Sequence, residues 1–277
     1  MPTLFLGTGA PDVCLSSHDW RALGGIWHPI WCRPHRGIAI VPYSMRLVTL
    51  ARRSSIPLSK LLLGSFVQNA VLFAVVVAIG LRAAHAVGLR APYIEAAIEG
   101  QVPSDDASRM LQVAIGLGLI SGLYLMLMDV ILFPRLPASF HDLARQATIW
   151  ENFTASFYGG VNEELLMRLF GMSGLVWLLS LIWHAPSGTP TDGVFWRANL
   201  IMAILCTLGH IPATRALAGN ITPLLLARAL VLNVPVGLIC GWLFWRKGIE
   251  AAIIGHFVAD LVYHVGGTLL LPWVVKV

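Results

Sequence analysis

Two adjacent carboxylates and an arginine, Glu163-Glu164-x-x-x-Arg168, stand in an otherwise apolar stretch directly after Gly159-Gly160. Read as helix, Glu164 and Arg168 fall four residues apart on one face and can pair. Glu163 then points about 100° away and stays free to act as a general base. Taken alone, the same residues could be an ion pair that only locks two helices. Downstream, His210 stands near the end of an apolar run. His256 and Asp260 are four residues apart on one face of the last apolar segment, with His264 a further turn along. A charge at mid-bilayer costs several kcal/mol, so ionisable groups on three separate apolar segments would be an expensive arrangement without a use.

The elements that must carry these groups are membrane helices. The chain of 277 residues is 57% hydrophobic and only 12% charged, against about 25% charge in a soluble domain. Its apolar runs are too long and unbroken for barrel strands. The fold class expected is therefore all-α, a polytopic transmembrane bundle of about six to eight membrane segments. A net charge of +5 fits basic residues on the cytoplasmic side better than it fits nucleic acid, and no nucleic-acid partner is expected. The four cysteines make no disulfide framework, and Cys206 and Cys240, in apolar runs, read as small packing residues.

Residues 1–56 read as a basic, poorly ordered N-terminal arm without the apolar core of a cleavable signal peptide. Cys14-x3-His18 and His28-x3-Cys32 within it are scattered residues rather than a metal site, and residues 1–44, which precede Met45, are expected to be dispensable. Residues 57–277 form the transmembrane domain. Spans are expected over 61–81, 110–133, 198–211, 221–245 and 249–275. Asp129 sits near the end of the second, where it can reach the interface. His210-Ile211-Pro212 ends the short 198–211 span. Residues 148–185, about 55 Å long as a straight helix, exceed one bilayer of about 30 Å. They read as one long helix or as two bent near Gly171–Gly174. Two crossings are preferred, because one would put Arg246 and Lys247 outside, against the positive-inside rule. That gives about seven segments and a site reached from the cytoplasmic half.

Glu163-Glu164-x-x-x-Arg168, then His210, then His256-x-x-x-Asp260 resembles the CPBP family, the type II CAAX prenyl endopeptidases and their bacterial relatives, whose pattern is EExxxR, FxxxH and HxxxN or HxxxD on successive membrane helices. The approach to the third motif, residues 241–256, looks like the family as well. The resemblance covers roughly residues 145–270. It implies an intramembrane endopeptidase, multi-pass in a bacterial inner membrane, acting on a membrane-associated protein or peptide. It implies catalytic roles for Glu163, Glu164, Arg168, His210, His256 and Asp260. Glu163 would activate a water, His210 would help position it, and His256 with Asp260 would stabilise the oxyanion. The family is often labelled metalloprotease, and Glu163, His210 and His256 could ligate Zn²⁺. No cofactor is certain. The metal-free, glutamate-driven route is preferred. The chain departs from the pattern at Cys206, where the second motif has Phe, and at Asp260 in place of Asn.

Two rival readings stand beside this one. Gly171-Met172-Ser173-Gly174 is similar to the GxSG of rhomboid serine proteases, with His256 or His264 as base. It leaves Glu163, Glu164, Arg168 and His210 without a role. The other rival is a non-catalytic scaffold or bacteriocin-immunity-type protein of the same family, which would keep the residues without turnover.

Overall fold

Inside a bilayer the backbone must satisfy its own polar groups, so a long apolar run becomes helix. In the computed structural model, which describes residues 57–101, 105–136 and 149–269, every long element is a helix. In chain order these are α1 (Leu58–Ala86), the short α2 (Pro92–Ile98), α3 (Asp105–Leu132), α4 (Ile149–Tyr158), α5 (Ser173–Ser180), α6 (Asp192–Ala218), α7 (Pro223–Lys247) and α8 (Ile249–Asp260). Three π-helical stretches join them: π1 (Gly159–Glu163), π2 (Leu165–Met172) and π3 (Leu261–Gly266). Among the described residues, five helices are long and apolar enough to cross a membrane. The expected all-α polytopic bundle is what forms. The N-terminal arm, with Cys14, His18, His28 and Cys32, lies outside the described residues.

Residues 149–180 run as one continuous helix rather than two. Tyr158, Glu164, Met172 and Ser173, at the junctions, all keep right-handed helical dihedrals, and the helix runs unbroken through Gly171 and Gly174. The expected double crossing is corrected accordingly. With one crossing, the turn at Gly248 shares an end of the bundle with the loop after α1. Ile249 N–H donates to Arg90 O at 3.3 Å. Glu250 Oε1 accepts from Tyr93 and Ile94 N–H at 2.9 and 2.8 Å. Arg246 pairs with Asp192 at 3.0 Å at the same end. Leu136, Ala218 and Leu225 cluster at the other.

Pro212 does not end its helix. α6 continues through it to Ala218, with Gly219 at φ 78° beyond. A proline inside a helix forfeits one backbone hydrogen bond. Asp129 does not reach an interface either. It is 6% exposed and accepts from Arg228 Nη2 at 2.6 Å and Tyr263 Oη at 2.8 Å, which ties α3, α7 and π3 together inside the bundle.

Close helix approach supplies the rest of the frame, since lipid tails are as apolar as leucine and helices associate through packing of small residues. A Cβ on Gly118 would lie 2.6 Å from Gly255 O, and one on Gly122 would lie 2.5 Å from Val262 Cβ. α3 is thus seated directly on α8 and π3. Leu169, Met172, Val176, Leu243 and Phe244 fill the core beside this contact.

Candidate active site

The acidic pair stands where π1 gives way to π2, with Glu164 between the two stretches. π turns recur at functional sites because the extra residue per turn re-aims side chains. Glu164 is fully buried, and a buried carboxylate needs cationic and hydrogen-bonding partners. Its Oε1 is 3.0 Å from Arg168 Nη1 and 2.7 Å from His256 Nδ1. Arg168 spends a second donor on Gly237 O of α7 at 3.0 Å. A carboxylate held against arginine accepts only, so the His256 contact requires the proton on Nδ1. That fixes the ring with Nε2 toward Asp260, whose Oδ2 lies 3.6 Å away. Glu164 Oε2 has no hydrogen-bond partner.

The glycines before the pair bring α8 this close. A Cβ on Gly160 would lie 2.8 Å from Phe257 Cβ and 3.0 Å from Phe257 N. One on Gly159 would lie 2.6 Å from Asp260 Oδ2 and 3.8 Å from His256 Nε2. The neighbour these glycines admit is therefore α8.

Glu163 faces a different way. It is half-buried, with Oε2 4.0 Å from Cys206 Sγ. Cys206 Sγ is in turn 4.0 Å from His210 Nε2, one turn along α6. Donor atoms of Glu163, Cys206 and His210 all lie within 4.8 Å of one another, and so do those of Glu164, Cys240 and His256. The six sequence-predicted residues thus fall into two adjoining groups. Glu163 and His210 form one; Glu164, Arg168, His256 and Asp260 form the other. His256 does not join Glu163 and His210 as a third close donor; Cys206 takes that position. Both Cys206 and Cys240, read from sequence as packing residues, stand among the ionisable groups. The i, i+4 spacing of Cys206 and His210 is the signal that points to the first. Nothing in the sequence points to the second.

Ser173 is fully buried, and its hydroxyl donates to Arg168 O of its own helix at 3.4 Å. His264 lies beyond Asp260, its ring against Tyr263 with centroids 4.8 Å apart. Its backbone oxygen accepts from Asn152 at 3.3 Å.

Chemically, the half-buried group offers a carboxylate and an imidazole able to share a water. The buried group offers an imidazole whose far nitrogen is aimed by a fixed ion pair. In the comparisons with known proteins, residues 145–262 match the family model Type II CAAX prenyl endopeptidase Rce1-like. No curated protein and no solved structure matches the chain.

Proposed function

We propose, from the premise that residues 145–262 make this chain a member of the Rce1-like family of type II CAAX prenyl endopeptidases, that it is an intramembrane endopeptidase hydrolysing a peptide bond in a membrane-associated protein or peptide. Its place is a bacterial inner membrane. Glu163 takes a proton from a water held between its carboxylate and His210, and the hydroxide attacks the scissile carbonyl. His256 Nε2, once protonated, donates to the developing oxyanion. Asp260, 3.6 Å from that nitrogen, supports the imidazolium. Glu164 and Arg168 act through His256, fixing its ring and its Nδ1 proton rather than touching substrate. The proton taken by Glu163 is returned to the leaving amine, so the carboxylate ends as it began.

The observation that carries this reading is the division of labour between neighbouring carboxylates. Glu164 is fully buried, with its Oε1 paired to both Arg168 and His256. Glu163 is half-buried beside His210, and among the described residues it forms no ion pair. A base must also meet water, and of the two carboxylates Glu163 is the one that is not fully buried. A serine route through Ser173 is disfavoured by burial of that hydroxyl against its own helix.

The test is a strain carrying Glu163→Gln at normal expression. Losing a general base costs about 10²–10⁴-fold in rate. Membrane peptides that accumulate in this strain and disappear with the wild-type chain identify the substrate. Full rescue of a null strain by Glu163→Gln would sink the catalytic reading in favour of a scaffold or immunity protein.

A further inference from the structure

The half-buried group has three donors of the kinds that hold a borderline-soft metal: a carboxylate from π1, and a thiol and an imidazole one helical turn apart on α6. We propose that Glu163, Cys206 and His210 form a binding site for a divalent cation of the zinc class, and that an ion there silences hydrolysis. The silencing rests on the function proposed above; the binding does not.

The geometry is close to what such an ion needs. Zinc sits about 2.3 Å from sulfur and about 2.0–2.2 Å from nitrogen or oxygen, so tetrahedral donors stand about 3.4–3.6 Å apart. Here the sulfur is 4.0 Å from both Glu163 Oε2 and His210 Nε2. A closure of about half an ångström brings the sulfur into range of both partners, and the carboxylate and imidazole, within 4.8 Å of each other, close up by side-chain torsions on half-buried residues. Three protein ligands leave the fourth position to water. Thiolate, carboxylate and neutral imidazole sum to two negative charges, which a divalent ion cancels inside an apolar bundle. Arg168 also faces the sulfur, but its own charge is balanced by Glu164 at 3.0 Å.

The neighbouring group does not offer the same thing. Glu164 Oε1 already accepts from Arg168 and His256, and Cys240 beside it is wholly buried. A cation there would stand against a guanidinium. At the first site the ion and the attacking water compete for the same lone pairs on Glu163 and His210. Once those lone pairs are metal-bound, Glu163 cannot take a proton.

Full-length protein in detergent, carrying Cys14→Ser and Cys32→Ser so that only the two intramembrane thiols remain, is titrated with Co²⁺. One equivalent with a thiolate-to-cobalt charge-transfer band is expected, displaced by Zn²⁺. Cys206→Ser abolishes the band and Cys240→Ser keeps it. His210→Ala weakens binding by at least the roughly 10–100-fold that even an outer partner of a metal ligand contributes. Size-exclusion profiles show that the variants remain folded. Absence of a band from the parent protein overturns the site, as does a band that survives Cys206→Ser and vanishes with Cys240→Ser. In parallel, Zn²⁺ is expected to slow cleavage and a chelator to restore it. Loss of cleavage on chelation overturns the silencing. Cobalt bound by a protein that cleaves nothing upholds the site and defeats the protease reading instead.

Discussion

Replacing Arg168 with methionine removes the cation from a carboxylate that is fully buried. Methionine keeps the length of the side chain and leaves little void, so the change isolates charge. The ionic contact is 3.0 Å. At an effective dielectric near 20 its Coulomb attraction is about 5.5 kcal/mol. A second bond, Nη2 to Gly237 O, also goes. Against this stands the desolvation of the guanidinium, which is no longer required. Breaking a buried pair from one side typically costs about 3–5 kcal/mol, because the remaining charge is stranded. Arg168→Met is therefore expected to lose about 3–5 kcal/mol of stability. Glu164→Gln together with Arg168→Met, which strands nothing, is expected to recover most of it. The assay is unfolding in detergent followed by tryptophan emission from the chain's ten tryptophans, with Glu164→Gln alone completing the double-mutant cycle. The reasoning is refuted if Arg168→Met unfolds within about 1 kcal/mol of the parent, the value of a solvent-exposed pair. It is refuted equally if the double variant is no better than the single.

Ser173→Ala should retain cleavage, since its buried hydroxyl donates to Arg168 O within its own helix; loss of cleavage with Glu163→Ala still active would move the nucleophile to Ser173. Gly160→Ala should destabilise by about 1–3 kcal/mol, the usual result of overpacking, because the new methyl meets Phe257 backbone at 3.0 Å. Its cleavage rate should fall as His256 is pushed from Glu164, and a parent-like rate and unfolding midpoint would contradict the tight α8 contact. Cysteines introduced at Glu95 and Lys247, in a background without the native cysteines, should react with an impermeant reagent from the same side of the membrane. Labelling from opposite sides would restore the second crossing of residues 149–180.

Local spacing made part of the site legible. Glu164 with Arg168, and His256 with Asp260, follow from i, i+4 periodicity, and both contacts form, at 3.0 and 3.6 Å. The apolar runs likewise revealed the membrane bundle before any contact was known. The meeting of helices was not legible in the same way. It depends on Gly118, Gly122 and Gly160 having no Cβ to hold α8 off, and a glycine in a sequence does not say which neighbour it admits. Cys206 illustrates a similar limit: as a small apolar residue it reads as packing, and only the approach of π1 to α6 sets it beside Glu163. Asp129 near a span end suggests the water interface until Arg228 and Tyr263, 99 and 134 residues away, are seen to enclose it. Pro212 and the glycines at 171 and 174 suggested breaks that a helix packed on several neighbours does not make.

The helix that carries Glu164 is sensitive to residue number as well as residue type, and the π turns that flank Glu164 decide where. A π turn accommodates one residue more than an α turn. A one-residue deletion within Gly159–Glu163 is absorbed when that turn relaxes to an ordinary α turn, whereas one in the α-helical stretch 154–158 has no such outlet and shifts the phase by about 100°. Asn152, bonded to Thr268 at 2.6 Å, and Phe153, edge-on to Phe257, would then face away from α8 whenever Glu164 faced Arg168 and His256. Both halves could not be satisfied together. Substitutions here are graded by size and charge, whereas a one-residue gap forces a choice between anchoring the helix and assembling the site. Deletions should consequently be tolerated in the 181–191 connection and not in the α-helical positions 154–158.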